Sequence, residues 1–176
     1  MRTRFAGIAV CLAVLLSPPP AFAETKTGCD SFLWPLATEI AWFQAETSVK
    51  TASGTTLAAV PSDEAVALEL RPMPEAGLPL KPTSTPKPDD AQKFGGYVTI
   101  ESFPGPGAYQ IAISDSGWLD VGQNGTTLEA IAHTGSHHCD KLRKSVRFEI
   151  GAGPVSIQVS GVPQNTIKIA IRPAAD

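Results

Sequence analysis

The chain has 176 residues, the size of one domain, and an apolar content of 43% is enough to bury one hydrophobic core. A charged content of 18% is far from the composition of a disordered protein. The net charge of −3 has the opposite sign to that of proteins that bind nucleic acid or an anionic membrane, which argues against both partner classes.

The N terminus has the parts of a secretory signal peptide over residues 1–23. Arg2 and Arg4 precede an apolar run over residues 5–16, and a small-x-small triplet ends the segment. This run is too short for a membrane-spanning helix, which needs roughly 20 residues. We therefore expect one mature domain over residues 24–176, periplasmic or secreted, with no membrane insertion. Because both arginines leave with the signal, the net charge would move from −3 to −5.

Two cysteines remain in the mature chain, because Cys11 lies within the signal peptide. An exported protein folds in a compartment that oxidises thiols. We therefore predict a disulfide between Cys29 and Cys139. Such a bridge closes a loop of about 110 residues and holds the N-terminal segment against the rest of the domain.

One amphipathic helix is predicted over residues 35–45. Leu36, Ile40 and Phe43 recur at helical spacing, and Pro35 suits the first turn of a helix. The sequence offers no second helix as a partner. The apolar face of this helix is therefore expected to lie against a sheet.

Little regular structure is predicted between this helix and residue 96. Residues 47–64 are polar and rich in Gly, Ser and Thr, and no strand is predicted there. Residues 65–70 alternate apolar and polar side chains, which predicts a strand. Six prolines between residues 72 and 88 exclude a helix, so residues 72–96 are interpreted as an extended proline-rich loop.

From residue 97 onward the sequence predicts strands only, because apolar residues alternate with period two. The dipeptide Asn124-Gly125 is a strong signal for a two-residue hairpin. Seven or eight short strands, spaced by roughly ten residues without helices between them, favour an antiparallel sandwich over a parallel sheet. The predicted fold is mainly β, an antiparallel β-sandwich with one N-terminal helix. The predicted strands in this part are residues 97–102, 108–114, 118–121, 126–132, 145–150, 155–160 and 167–171.

Strands and turn glycines follow one another in the segments FGGYVTIESFPGPGAYQIAISDSGWLDV, KSVRFEIGAGPVSIQVSG and IKIAIRP. Their layout resembles that of the bacterial pre-peptidase C-terminal (PPC) β-sandwiches. The segments CDSFLWPL, SGWLDV and CDKLRKSVRF are similar to those of a family of small secreted proteobacterial proteins of unknown function. The resemblance implies a jelly-roll or PPC-like sandwich and assigns no activity.

The three histidines of the chain lie in one short segment, HTGSHHCD, as His133, His137 and His138. Imidazole and thiolate are good ligands for zinc or copper. The first interpretation is that the protein has no cofactor, because Cys139 is assigned to a disulfide and loop histidines are commonly solvated. A zinc or copper site formed by the three histidines is the alternative.

A basic cluster follows, formed by Lys141, Arg143, Lys144 and Arg147. Such a cluster in an acidic chain could bind a phosphate, a carboxylate or an acidic partner. The simpler interpretation is a solvated strand entry, in which Val146 points inward and Arg147 outward.

Trp118 could supply a stacking platform for a glycan, as exposed aromatic residues do on many sandwiches. Alternation places it opposite Leu119 and Val121 but does not say which face is buried. A core position is favoured, because a small sandwich needs large residues inside.

No catalytic motif is identified, and no residue is predicted to be catalytic. The first hypothesis is a non-enzymatic binding or accessory module whose partner is an unknown periplasmic protein or small ligand. The alternatives are a metal-binding protein or metal-dependent enzyme that uses the histidine segment, and a glycan-binding module.

Overall fold

Alternating apolar side chains build two stacked β-sheets, with one α-helix on an outer face. The structure is a computed structural model and describes residues 28–85 and 87–174, so the predicted signal peptide lies outside the described residues. The mainly β sandwich predicted from period-two alternation is confirmed.

The described residues form twelve strands, one α-helix and three short 3-10 helices. The α-helix, α1, spans Ala37–Gln44, and the 3-10 helices span Gly28–Ser31, Met73–Glu75 and Asp90–Gln92. The strands are β1 (Val49–Ala52), β2 (Thr55–Leu57), β3 (Val66–Glu69), β4 (Arg71–Pro72), β5 (Phe94–Ile100), β6 (Gly107–Ile113), β7 (Trp118–Gln123), β8 (Thr126–Thr127), β9 (Ala130–Gly135), β10 (Lys144–Ile150), β11 (Val155–Val162) and β12 (Thr166–Pro173).

The strand order is β1-β3-β12-β6-β10-β9 in sheet 1 and β2-β5-β11-β7-β8 in sheet 2, with β4 also paired to β5. Pairs are antiparallel except β1 with β3 and β2 with β5, which are parallel. The interpretation of residues 47–64 as a region without strands is therefore wrong. These residues supply one edge strand to each sheet. Their side chains are only partly buried there, so they lack a strong apolar alternation.

The hydrophobic core lies between the two sheets. Sheet 1 contributes Ile111, Phe148 and Ile169, and sheet 2 contributes Val121 and Ile157, all of them buried. Their neighbours in sequence point to the outer faces, as the alternation predicts. Burial of these side chains is the main term that favours the folded state.

Helix α1 covers the outer face of sheet 1, as expected for a helix with no helical partner. Leu36 and Phe43 pack on Ala112 of β6 and Ala170 of β12, and these small side chains let the helix approach closely. The helix is shorter than the predicted residues 35–45. It begins at Ala37 because Leu36 has non-helical dihedral angles, and it ends where Ala45 is extended.

The predicted disulfide is confirmed. Cys29 and Cys139 are bonded, with their Cα atoms 4.6 Å apart. Cys139 is fully buried in the same apolar cluster as the helix. The bridge therefore fixes the start of the described chain against the segment between β9 and β10.

The hairpin at Asn124-Gly125 is confirmed, whereas the single strand predicted over residues 126–132 is wrong. Both turn residues have positive φ, 54° and 75°, and Gln123 pairs with Thr126. After two residues of β8 the chain leaves sheet 2, and β9 joins the edge of sheet 1. The apolar pattern that predicted one strand is therefore divided between strands of two different sheets.

The proline-rich segment lies against the outer face of sheet 2. Residues 79–85, which we call the strap, are held at Leu80 by Gln158 of β11. The Gln158 amide accepts a hydrogen bond from the Leu80 N–H (3.0 Å) and donates one to the Leu80 carbonyl (3.1 Å). The Leu80 side chain fills the space left by Gly122 of β7, where a Cβ atom would lie 2.6 Å from Leu80 Cδ2.

Candidate functional site

A cleft of about 860 Å³ lies where the strap approaches one end of the sandwich. Strap residues form one wall. The start of β7 and the adjoining parts of β9 and β10 form the others. The side chains that matter for its chemistry are Lys81, Trp118, His133, His137, Arg143 and Lys144.

Trp118 is held in a fixed orientation at this cleft. Its Nε1–H lies 2.7 Å from the Thr83 hydroxyl oxygen and 3.1 Å from Asp120 Oδ1. Trp118 is 41% exposed, because Leu119 and Val121 take the core side of β7. The preferred prediction of a core position for Trp118 is therefore wrong, and the side chain is available to a ligand.

Asp120 lies beneath the strap and is 3% exposed. Its Oδ1 accepts a hydrogen bond from the Thr83 hydroxyl (2.5 Å) as well as from Trp118, and its Oδ2 accepts one from the Thr83 N–H (3.3 Å). One carboxylate thus holds both the strap and the indole ring. Asp120 and Thr83 were not singled out from the sequence. The Trp-x-Asp spacing on one strand places two side chains on one face, but nothing in the sequence links them to Thr83.

Lys144 enters the cleft from β10 and is partly buried. Its Nζ lies 4.7 Å from the centroid of the Trp118 ring and donates a hydrogen bond to the Gly117 carbonyl (3.2 Å). Burial lowers the pKa of Lys144, although the negative charge of Asp120 opposes this. Lys144 forms no salt bridge with any carboxylate of the described residues.

Arg143 and His137 form a joined pair at the rim. The Arg143 guanidinium donates to the His137 carbonyl (2.9 Å) and lies 2.9 Å from His137 Nδ1. Because a guanidinium only donates hydrogen bonds, Nδ1 is the acceptor in this arrangement. The contact orients Arg143 without neutralising its charge.

The lining of the cleft carries more positive than negative charge. Lys93 is paired with Asp89 (2.9 Å) and with Asp90 (3.4 Å). The other four cations form no salt bridge within the described chain. The charged lining residues are Lys81, Lys87, Lys93, Arg143 and Lys144 against Asp90 and Asp115. A locally cationic cleft therefore exists in a chain whose net charge is −3.

The three histidines are all exposed, and only His133 and His137 line the cleft. Over residues 28–85 and 87–174, no group of three His, Cys, Asp or Glu side chains is arranged to hold a metal ion. Cys139, the thiol of that segment, is bonded to Cys29. The arrangement therefore gives no support to the alternative hypothesis of a zinc or copper site.

The predicted basic cluster is divided by the fold. Lys144 lines the cleft and Lys141 lines a neighbouring depression of about 630 Å³ near the C-terminal end of α1, while Arg143 lines both. Arg147 lies on the face opposite Val146, but it packs on a side chain there instead of being solvated, with its guanidinium carbon 4.3 Å from the centroid of the Trp34 ring. The four residues do not form one continuous patch.

A second polar cluster lies under α1, and sequence reasoning missed it. Glu39 is fully buried. Its Oε1 accepts a hydrogen bond from the Gln110 amide (2.6 Å) and forms a salt bridge with the Arg172 guanidinium (3.3 Å). A single acidic residue on a predicted helix is usually solvated, so it gave no signal. These contacts join the helix to β6 and β12.

No family model, no curated protein and no solved structure matches the chain. In the part of the chain that the structure describes, no helix is long and apolar enough to cross a bilayer.

Proposed function

We propose that this chain is a non-enzymatic extracytoplasmic binding module that holds an anionic ligand in the cleft beside Trp118. The observation that carries the proposal is Lys144. It is a partly buried ammonium group stacked on an aromatic ring, and no carboxylate of the described chain pairs with it.

Burial of a positive charge is unfavourable unless an opposite charge or several hydrogen bonds compensate it. Lys144 donates to the Gly117 carbonyl, and two of its three N–H donors remain for a ligand. Arg143 and Lys81 bring further charge to the same cavity. A carboxylate, sulfate or phosphate group would accept these hydrogen bonds and place a negative charge in direct contact with Lys144.

The size of the cleft, about 860 Å³, suits a small organic ligand rather than a single ion. The exposed Trp118 ring favours a ligand with a flat or apolar face next to its charge. An acidic saccharide has both properties. The glycan hypothesis for Trp118 therefore becomes a specific form of this proposal.

Export of the protein is part of the proposal. The disulfide is compatible with an oxidising compartment outside the cytoplasm. The intact mass of protein recovered from the periplasm or medium should correspond to a chain that begins at Glu24 and lacks two hydrogens. A mass that retains residues 1–23 or has two free thiols would contradict export with disulfide formation.

Isothermal titration calorimetry tests the binding role. The probes are sodium sulfate, inorganic phosphate, D-glucuronate and neutral D-glucose, each titrated at low ionic strength into the disulfide-bonded protein. We expect at least one anion to bind. We also expect Lys144→Met to weaken that binding roughly tenfold or more, because a charge-assisted hydrogen bond is lost.

The matched control is Lys141→Met, which removes the same charge outside the cleft and should leave the affinity within about twofold. Tighter binding of D-glucuronate than of sulfate, with D-glucose silent, would identify an acidic saccharide. Absence of binding by every anion, or equal losses in the two lysine variants, would refute the proposal.

A further inference from the structure

We propose that Asp120 is the positioning residue of this cleft, and that anion affinity depends on it although its own charge repels an anion. The inference rests on the proposed anion-binding function. It follows from the contacts of a single carboxylate with both walls of the cavity.

The first wall is the Trp118 platform. Its indole N–H donates to Asp120 Oδ1 and lies 2.7 Å from the Thr83 hydroxyl oxygen, and that hydroxyl donates to the same Oδ1. The three groups form a closed set of hydrogen bonds. Such a set fixes the plane of the ring more tightly than one bond would, because each group is oriented by two others.

The second wall is the strap. Gln158 holds both polar atoms of the Leu80 backbone, and Asp120 holds the backbone N–H of Thr83. Lys81 and Pro82, which line the cleft, lie between these two anchors. Without the second anchor the strap would be fixed on one side only, and this wall of the cleft would lose its position.

The charge of Asp120 has no pairing role in the described chain. It forms no salt bridge there, and Lys144, whose charge interacts with it, forms its hydrogen bond with Gly117 instead. Coulomb's law alone predicts that removal of a negative charge beside the cleft should strengthen anion binding. Removal of a positioning residue should weaken it. At a pH where Lys144 stays charged, the two roles therefore predict changes of opposite sign.

The test compares Asp120→Asn with Asp115→Asn by calorimetry, with inorganic phosphate as the probe. Asp115 also lines the cleft, and its side chain accepts hydrogen bonds from Ser116, so this variant removes a charge without touching the strap. We expect Asp120→Asn to bind phosphate roughly tenfold more weakly, because the amide cannot accept all three hydrogen bonds. Asp115→Asn should bind phosphate as tightly as the unmodified protein or more tightly.

A second variant, Thr83→Val, removes the Thr83 hydroxyl from the set of hydrogen bonds with Asp120 and Trp118 and keeps the Asp120 charge. Thr83 is exposed, so the variant is expected to fold. It should weaken phosphate binding in the same direction as Asp120→Asn. Unchanged or tighter binding in both variants would overturn the inference.

Amide hydrogen exchange in the ligand-free protein separates this inference from the proposed function. We expect faster exchange of the Thr83 N–H in Asp120→Asn, while the N–H groups of β11 stay protected. If the unmodified protein binds no anion, the proposed function fails, and the positioning of a binding site fails with it. If anions bind but Thr83 exchange is unchanged in Asp120→Asn, the positioning role alone is refuted.

Discussion

Two opposing effects act on the pKa of Lys144. Its aliphatic chain crosses from sheet 1 to the Trp118 ring of sheet 2, which buries part of the ammonium group. Burial lowers its pKa, and the charge of Asp120 limits that decrease. A ligand anion would favour the charged form, so binding and protonation of Lys144 should be linked.

This linkage predicts a decline of anion affinity at alkaline pH. Lys144 is fully charged below its lowered pKa and loses its proton as the pH rises through that value, which lies below the ordinary 10.5. Sulfate titrations between pH 8 and 11 should therefore show weaker binding before a solvated lysine would deprotonate. Sulfate itself keeps the same charge over this range.

Lys144→Arg is the control, because a guanidinium stays charged throughout this range. Its sulfate affinity should fall less steeply with rising pH than that of the unmodified protein. Identical pH profiles for the two proteins would show that Lys144 does not contribute to the decline.

At the scale of elements, the strap is positioned by polar anchors and by one complementary surface. The anchors are Gln158 and Asp120, and the surface is Gly122, where the absence of a side chain leaves room for Leu80. Glycine is needed here for a close approach and not for its backbone freedom. A proline-rich sequence is suited to such a segment, because fewer conformations are lost when it docks.

Gly122→Ala should displace the Leu80 end of the strap. The added Cβ would lie 2.6 Å from Leu80 Cδ2 and 3.2 Å from Leu80 Cγ, so the leucine side chain must move. We expect a loss of about 1 kcal/mol in the free energy of unfolding, from overpacking, and faster exchange of the Leu80 N–H. Chemical denaturation and hydrogen exchange measure the two effects.

Gly105→Ala is the matched control, since nothing lies within 4 Å of the position of its added Cβ and its backbone is not left-handed. It should leave both quantities unchanged. Equal effects of the two substitutions would mean that the Leu80 contact does not hold the strap.

At the scale of the whole molecule, three distant parts of the chain depend on one another. The disulfide joins residues separated by 110 positions, and it holds the N-terminal segment beside the segment that carries His137 and Arg143. Helix α1 then covers sheet 1, with Glu39 buried against Gln110 and Arg172. The two sheets enclose the main core, and the strap covers part of the opposite outer face.

Removal of the disulfide should lower the stability of the domain as a whole. In the chain-entropy account, a bridge that closes so long a loop contributes at most about 4 to 5 kcal/mol. We expect the double variant Cys29→Ala with Cys139→Ala to unfold at a clearly lower urea concentration than the oxidised protein. The reduced unmodified protein should unfold near the double variant. A denaturation midpoint that equals that of the oxidised protein would contradict this prediction.

The main strands can be predicted from the sequence because apolar alternation is a local pattern. The disulfide can be predicted because only one pairing of cysteines is possible. Period-two alternation over residues such as Tyr109, Ile111 and Ile113 defines a strand and its two faces. Asn124-Gly125 accepts the positive φ angles of a tight hairpin. Only two cysteines, Cys29 and Cys139, lie outside the predicted signal peptide, so each has one possible partner.

The strands that were not predicted lie where apolar alternation is weak or where it does not identify the sheet. The strands β1 and β2 are partly buried edge strands, so burial does not impose a strong apolar pattern on them. The break between β8 and β9 preserves an alternating pattern while the chain changes sheets. Alternation reports that a face is buried and not which sheet buries it.

The sequence by itself thus determined a β-sandwich with one helix, one hairpin and one disulfide, because each depends on spacing or composition. Tertiary structure alone decided that Trp118 faces outward, that Lys144 reaches its ring, and that Thr83 meets Asp120 across 37 positions. Those contacts depend on the order of strands within sheets and on the path of the strap. Neither the strand order nor the path of the strap is encoded in local periodicity, so the candidate site can be recognised only in the assembled structure.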